Sequence, residues 1–156
     1  MIDRDHIEFW GVNARLQPLQ AIVATEGLKK IKKVISKRNN NAKLMDTLLS
    51  TEKKNVIIPN RPIDYRETFS LYMILVKKRD ELTSYLKKKG VETKIHYPIP
   101  LNKQKAAKNY KLNQKDFIIA NSQAKKLLTI PIHQYLSKKQ IFYIARTIKE
   151  FYKKFK

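Results

Sequence analysis

Cysteine is absent from this chain of 156 residues, and glycine occurs at only three isolated positions, Gly11, Gly27 and Gly90. Without cysteine the chain has no disulfide, no thiolate nucleophile and no cysteine-ligated metal. Three separate glycines cannot form a phosphate-cradling loop of the G-x-x-x-x-G-K-[ST] or G-x-G-x-x-G type. These absences exclude several common enzyme classes and favour a cytoplasmic protein.

Long apolar runs are missing as well. No stretch of the sequence reaches the roughly 18 consecutive apolar residues that a membrane-spanning helix requires. The first ten residues, MIDRDHIEFW, carry acids where a signal peptide has its apolar segment. The 156 residues are enough for one domain with a core. The hydrophobic fraction of 42% is ordinary for a folded protein. We therefore expect a folded domain and no membrane association.

Acidic residues are few, with 13 Asp and Glu against 34 Lys and Arg, so the formal net charge is +21. Only seven of the basic residues are arginine, and the lysines are spread over the whole chain. Surfaces that read bases or clamp phosphates rely on arginine, because its planar fork bonds in a bidentate way. We interpret most of the charge as solvated lysine faces, which argues against nucleic-acid binding. A basic stand-alone module that binds nucleic acid or another anion is the alternative hypothesis.

Hydrophobic periodicity predicts one long helix at the start of the chain. Pro18 suits the first helical position, and apolar residues then recur every three or four positions to Leu49. A helix of that length is unusual for so short a chain. We expect a bend or break at Gly27 or at residues 39–41, which are three consecutive asparagines.

The rest of the sequence alternates between short strands and helices. Asp80 and Gly90 are predicted to cap one helix at its two ends, and Ser137 with Gln140 forms a capping box that opens the last helix. Before each proline, the segment HYPIPL is expected to be extended. The predicted fold is α+β, a small antiparallel or mixed sheet covered by helices behind a long N-terminal helix. Predicted strands are 56–59, 69–76, 91–97 and 127–132, and predicted helices are 79–90, 103–110, 116–126 and 137 onward.

Few residues have a pattern that indicates chemistry. His6, His96 and His133 are far apart without the spacing of metal ligands, so we predict no metal site. No nucleophile with a neighbouring base is evident, and no catalytic residue is assigned. Two stretches remain as candidate binding sites, and each has a functional and a purely structural interpretation.

The first candidate is GVNARLQPLQA, residues 11–21. Asn13 and Arg15 lie just before a helix N-terminus, where free N–H groups and the helix dipole favour an anion. Alternatively, Asn13 caps the chain and Arg15 pairs with a surface acid. The second candidate is His96-Tyr97 before Pro98, where a histidine at a strand end is placed to meet a ligand. Alternatively, His96 is a buried, hydrogen-bonded residue beside a packing tyrosine.

Three segments, taken in order, resemble the DegT/DnrJ/StrS aminotransferases. GVNARLQPLQA is similar to the G-x-N-x-R-x-x-x-x-Q-A segment of that family. LYMILVKKRDELTSYLKKKGVETKIHYPIPL is similar to its strand–helix–HYP segment, and LLTIPIHQYLSKKQIFYIARTIKEF is similar to its C-terminal end. Family members are pyridoxal-phosphate enzymes that aminate keto-sugars attached to nucleotides, with glutamate as the usual amino donor.

The resemblance implies that this chain is the C-terminal portion of such an enzyme. Complete members are more than twice as long, and their aldimine lysine lies just before a Gly-Glu-Gly-Gly turn upstream of the G-x-N-x-R segment. Nothing here matches either feature, and Lys94 does not occupy the lysine's position. We therefore expect a truncated or split-gene product that is inactive alone, working as a homodimer or with a companion chain that carries the large domain.

The resemblance also implies roles for particular residues. Asn13 matches the family asparagine that binds the cofactor phosphate of the other subunit. Arg15 matches the arginine beside it, which supports the same loop or the carboxylate of the amino donor. His96 and Tyr97 match the segment near the sugar-nucleotide entrance. The implied layout is a G-x-N-x-R connection in residues 1–17, a linking helix in residues 18–50, and a domain in residues 51–156 like the small C-terminal domain of fold-type-I aminotransferases. This chain departs from the family at Asn102 and near Ser70, where members often have histidine.

Overall fold

The computed structural model describes residues 15–62, 64–104, 107 and 110–154. Seven regular elements follow one another along these ranges. They confirm the predicted α+β class, with a three-stranded sheet, flanking helices and a long first helix. The elements are α1 (Pro18–Leu49), β1 (Val56–Ile57), β2 (Tyr72–Val76), α2 (Arg79–Lys88), α3 (Ile118–Ala124), β3 (Leu127–Ile130) and α4 (Lys138–Lys154).

The sheet has the strand order β1-β2-β3, and both pairings are antiparallel. Tyr72 lies opposite Ile130, so the start of β2 and the end of β3 meet at one end of the sheet. The prediction of a full strand over 91–97 was wrong. Only Lys94 pairs there, exchanging two backbone hydrogen bonds of 3.0 and 2.9 Å with Thr129.

The burial of the side chains along β2 fits its position as the central strand of the sheet. Tyr72, Ile74 and Val76 are buried and the residues between them are half-buried, so the strand packs on both faces. Helix α4 contributes one apolar stripe to the same hydrophobic core, as predicted from its 3–4 spacing. The buried residues of α4 are Ile141, Ile144, Ala145, Thr147, Ile148, Phe151 and Tyr152.

Two of the predicted helix caps are confirmed and one was wrong. Gln140 N–H donates to the Ser137 hydroxyl at 3.3 Å and Ser137 N–H donates to the Gln140 side chain at 2.9 Å, which is the capping box. Gly90 ends α2 at a φ of 73°, a conformation that suits glycine. Asp80 does not cap α2, because the N-cap position is occupied by Lys78. Asp80 lies in the first turn, where its negative charge interacts favourably with the positive end of the helix dipole.

Two other helix predictions were only partly right. Helix α3 covers 118–124 after a 3₁₀ turn at Gln114–Phe117, which is shorter than the predicted 116–126. In the described part of 103–110 there is no α-helix, only a 3₁₀ turn at Leu101–Lys103 and single turns beyond it.

Contacts divide the chain into two units, Met1–Lys33 and Val34–Lys156. In the first unit the described residues are 15–33, and their large apolar side chains are exposed, from 42% at Ile31 to 73% at Leu19. In the second unit the last turns of α1 belong to the core through Ala42, Met45 and Leu49.

Helix α1 runs without a break from Pro18 to Leu49, so the expected break at Gly27 or residues 39–41 is absent. Asparagine usually disturbs a helix because its side chain competes for the helix's own backbone groups. Here the Asn39 amide does donate to a carbonyl of its own helix, Ile35 O, at 2.9 Å. Asn39 and Asn41 also bond to carbonyls outside the helix, which hold α1 in place at this point. The Asn39 amide donates to Glu67 O at 2.9 Å, and the Asn41 amide donates to His133 O at 3.0 Å.

Candidate functional site

The two residues of the first candidate loop differ in what the structure says of them. Asn13 lies outside the described residues, as do the glycine and valine before it. Arg15 is described; it is exposed and lies three residues before the start of α1. Because Arg15 is exposed, it is accessible to a ligand or a partner. At the start of the helix, the Gln20 side chain accepts a 3.1 Å hydrogen bond from Gln17 N–H.

His96 lies beside the sheet and makes a specific contact with it. Its Nδ1 lies 2.9 Å from the hydroxyl of Thr129, a buried residue of β3. Because the antiparallel bridge between Lys94 and Thr129 fixes the local backbone, the ring of His96 has a defined position. Half of the structural alternative is therefore right, since His96 is hydrogen-bonded, but it is only half-buried.

Tyr97 does not pack as the structural alternative required. Its side chain is 75% exposed, and its φ of 53° places it in the left-handed region. The extended conformation predicted before Pro98 is therefore wrong at this residue. Non-glycine residues in that region cost on the order of 1–3 kcal/mol and often occur at binding sites. The strained turn points an aromatic ring into solvent beside His96, with ring centroids 6.2 Å apart.

A cleft of about 290 Å³ opens at the end of the sheet where β2 begins and β3 ends. Thr129, the partner of His96, forms part of its wall. Three more segments contribute: one residue of α1, the start of β2, and the segment around Lys94. The lining residues are Arg38, Ser70, Leu71, Tyr72, Glu92, Thr93, Lys94, Thr129, Ile130, Pro131, Ile132 and His133.

Arg38 is the half-buried cation of this cleft. Its Nε donates to the Gln134 side chain at 2.9 Å, and one terminal nitrogen lies 3.5 Å from the carbonyl oxygen of Phe69. Both acceptors are neutral. Phe69 has a φ of 48°, so a second strained residue adjoins the cleft.

Arg61 is also half-buried, but unlike Arg38 it is paired with acidic side chains. Its guanidinium donates to Asp46 at 2.8 Å and to Glu67 at 2.6 Å, and lies 4.7 Å from the centre of the Phe69 ring. Burial lowers the pKa of Arg61, but the pairing with Asp46 outweighs it and the net pKa is raised. Asp46 also accepts a hydrogen bond from the Tyr72 hydroxyl, so this cluster holds α1 against β2.

Asn102 is the first of the two departures noted in the sequence. It is buried, and its amide donates to the side chains of Gln114 at 3.0 Å and Asn121 at 3.2 Å. Its polar atoms are thus used to tie α3 to the preceding turns. At this position the departure noted in the sequence has a structural role.

None of the described lysines is buried as the aldimine lysine of a pyridoxal-phosphate enzyme would be. A lysine that forms an aldimine is normally desolvated in its pocket. Every lysine that the structure describes is exposed, except Lys149, which is half-buried on α4. Lys94 lines the open cleft, but it is exposed too. Within the described ranges there is also no cluster of three His, Asp or Glu residues that suits a metal ion.

Arg38 and Thr129 were missed by the sequence analysis, although both line the cleft. Arg38 could have been noticed as one of few arginines, on the apolar-periodic helix where lysine is otherwise used. Thr129 had no such signal, because a threonine within a strand is ordinary.

None of the helices within the described residues combines the length and the apolar composition of a membrane span.

Comparisons with known proteins place this geometry in context. The model of the DegT/DnrJ/EryC1/StrS aminotransferase family matches residues 2–149. A pleiotropic regulatory protein of Geobacillus stearothermophilus is 29% identical over 93% of this chain and 39% of its own length. The UDP-2-acetamido-2-deoxy-3-oxo-D-glucuronate aminotransferase of Pseudomonas aeruginosa is 30% identical, over 88% of this chain and 37% of its own length.

A solved structure agrees with the sequence relatives. The crystal structure of a DegT DnrJ EryC1 StrS aminotransferase from Brucella abortus superposes with a TM-score of 0.84 at 29% identity. The match covers 96% of this chain and 39% of that one, so the chain spans well under half the length of the relatives it matches. The family model, the sequence relatives and the shared fold lead to one conclusion: the chain belongs to the DegT/DnrJ/EryC1/StrS aminotransferase family.

Proposed function

We propose that this chain is the C-terminal portion of a pyridoxal-phosphate-dependent aminotransferase that acts on nucleotide-linked keto-sugars in amino-sugar and polysaccharide biosynthesis. The observation that carries the proposal is the family match over residues 2–149, combined with coverage of only 39% of the related Brucella abortus chain. One relative is named as an aminotransferase of a UDP-linked keto-sugar, which supports this substrate class.

The proposed layout has three parts. Residues 1–17 form the connection that carries the G-x-N-x-R loop, residues 18–50 form the linking helix, and residues 51–156 form the small domain. Asn13 and Arg15 would bind the cofactor phosphate, each through hydrogen bonds worth about 1.5–3 kcal/mol when charge-assisted. His96 and Tyr97 would contact the sugar nucleotide, and their fixed and exposed positions suit that role.

Aminotransferases of this family use pyridoxal phosphate, which supplies the electron sink of the reaction. Because none of the described lysines is buried, we propose that this chain provides binding and positioning groups only. The aldimine lysine would come from the large domain of a companion chain, and the assembled enzyme would be a dimer that uses glutamate. Alone, the chain would be inactive.

Chemical trapping of lysines tests the proposal. After incubation of the purified chain with pyridoxal phosphate and reduction with borohydride, we expect weak labelling spread over many lysines, because the described lysines are accessible and similar. Mass spectrometry of peptides measures the occupancy of each site. The Lys94→Arg variant is the control for the cleft, and its total labelling should be almost unchanged. One lysine labelled once per chain would contradict the proposal.

A further inference from the structure

Three arginines of the described chain are half-buried, and their partners differ. Arg61 pairs with Asp46 and Glu67, and Arg79 pairs with Asp80 at 2.9 Å. Within the described ranges Arg38 is in no ion pair and has only the neutral acceptors on Gln134 and Phe69. A partly buried cation without a counter-charge is costly, and an anion that reaches it would offset that cost.

The surroundings of Arg38 suit a phosphate group. The guanidinium offers a planar fork, and Lys94 adds a second positive charge to the lining of the cleft. Ser70 and Thr93 provide hydroxyl donors on that lining. Glu92 opposes an anion, so the cleft has two permanent positive charges against one negative charge.

The shape of the cleft is consistent with a bound group. Its volume of about 290 Å³ exceeds that of one phosphate, and it is bounded by backbone fixed in the sheet at Tyr72 and Ile130. The left-handed backbone at Phe69 lies directly before the cleft residues Ser70 and Leu71. Strain of this kind is retained where the surrounding structure or a ligand requires it.

We propose that the cleft formed by Arg38, Lys94, Ser70 and Thr93 is a binding site for the phosphate group of a small molecule. The proposal does not depend on the aminotransferase function, since it uses none of the residues assigned to cofactor or sugar contact. Arg38 binds the phosphate in a bidentate way, and Lys94 contributes charge from the exposed side of the cleft.

Titration of the full chain with pyrophosphate, followed by backbone amide shifts in NMR at physiological salt, tests the site. We expect saturable shifts confined to residues 69–72, 92–94 and 129–133. Arg38→Gln should weaken binding at least tenfold, Arg38→Lys should weaken it less, and Lys94→Gln about threefold. Arg66→Gln removes an equal charge from an exposed position outside this cleft, and it should change affinity less than twofold.

Three results would overturn the proposal. Shifts spread evenly over the lysine-rich faces, or equal losses in Arg38→Gln and Arg66→Gln, would mean that only the general charge of +21 attracts pyrophosphate. Succinate binding as tightly as pyrophosphate would contradict the assignment to phosphate. Lys94→Gln changes an exposed side chain, so it gives a decisive result even if Arg38→Gln fails to fold.

Discussion

Replacing Phe151 by alanine should lower the free energy of unfolding by about 3–5 kcal/mol, the range for truncating a buried aromatic residue. Phe151 is completely buried on α4, and its ring contacts Tyr85 and Tyr152 with centroids 5.6 and 5.0 Å away. The substitution removes these ring contacts and leaves a cavity between α2 and α4. Urea denaturation followed by circular dichroism measures the loss.

Phe142 on the same helix is the matched control, because its side chain is 50% exposed. Phe142→Ala should cost less than about 1 kcal/mol, as surface substitutions usually do. If Phe151→Ala prevents folding, Phe151→Leu should still fold, with a loss of about 1–1.5 kcal/mol from imperfect repacking. Equal losses in Phe151→Ala and Phe142→Ala would mean that the packed face of α4 is assigned wrongly.

Above pH 10 the chain should lose stability through Tyr152 and Tyr72. Burial raises the pKa of Tyr152, and Glu52 and Glu81 add to the effect. Burial, followed by the hydrogen bond to Asp46, raises the pKa of Tyr72. The unfolded chain releases these protons near pH 10 while the folded chain retains them, so rising pH favours unfolding. Each tyrosine contributes a slope of about 1.4 kcal/mol per pH unit from that point up to its folded pKa.

The slope is isolated by comparing variants, since lysines also titrate in this range. Tyr152→Phe loses the 2.7 Å hydrogen bond to Lys77 O and should cost about 1 kcal/mol at pH 7. Between pH 10 and 12 its stability should fall less steeply than that of the natural chain. Tyr135→Phe, at a site that is 80% exposed, should leave the slope unchanged. Identical slopes for all three proteins would contradict the buried position of Tyr152.

Local sequence signals identified most of the fold. The 3–4 spacing of isoleucine and phenylalanine set the inward face of α4, and Ser137 with Gln140 set its start. Failures occurred where distant contacts decide the outcome. The three asparagines of α1 looked like a helix break, but two of their side chains bond to carbonyls that are 28 and 92 residues away in sequence. No local pattern can indicate such partners.

The candidate site was predictable only in part. His96 and Tyr97 stood out because a histidine and an aromatic residue precede prolines, and the structure gives them a fixed position and an exposed ring. Their connection to Thr129 depends on one antiparallel bridge at Lys94. Arg38 reaches the cleft from α1 and lies 32 residues before Ser70, the nearest of the other lining residues in the sequence. Such a cleft is created by tertiary structure, so it cannot be identified from the order of residues alone.

The central claim is that this chain contributes to a transaminase site without supplying its aldimine lysine. The direct measurement is the formation of 2-oxoglutarate from glutamate by the purified chain with added pyridoxal phosphate. We predict a rate equal to that of free pyridoxal phosphate at the same concentration. A rate above that background, abolished when the protein is first reduced with borohydride in the presence of the cofactor, would contradict the claim.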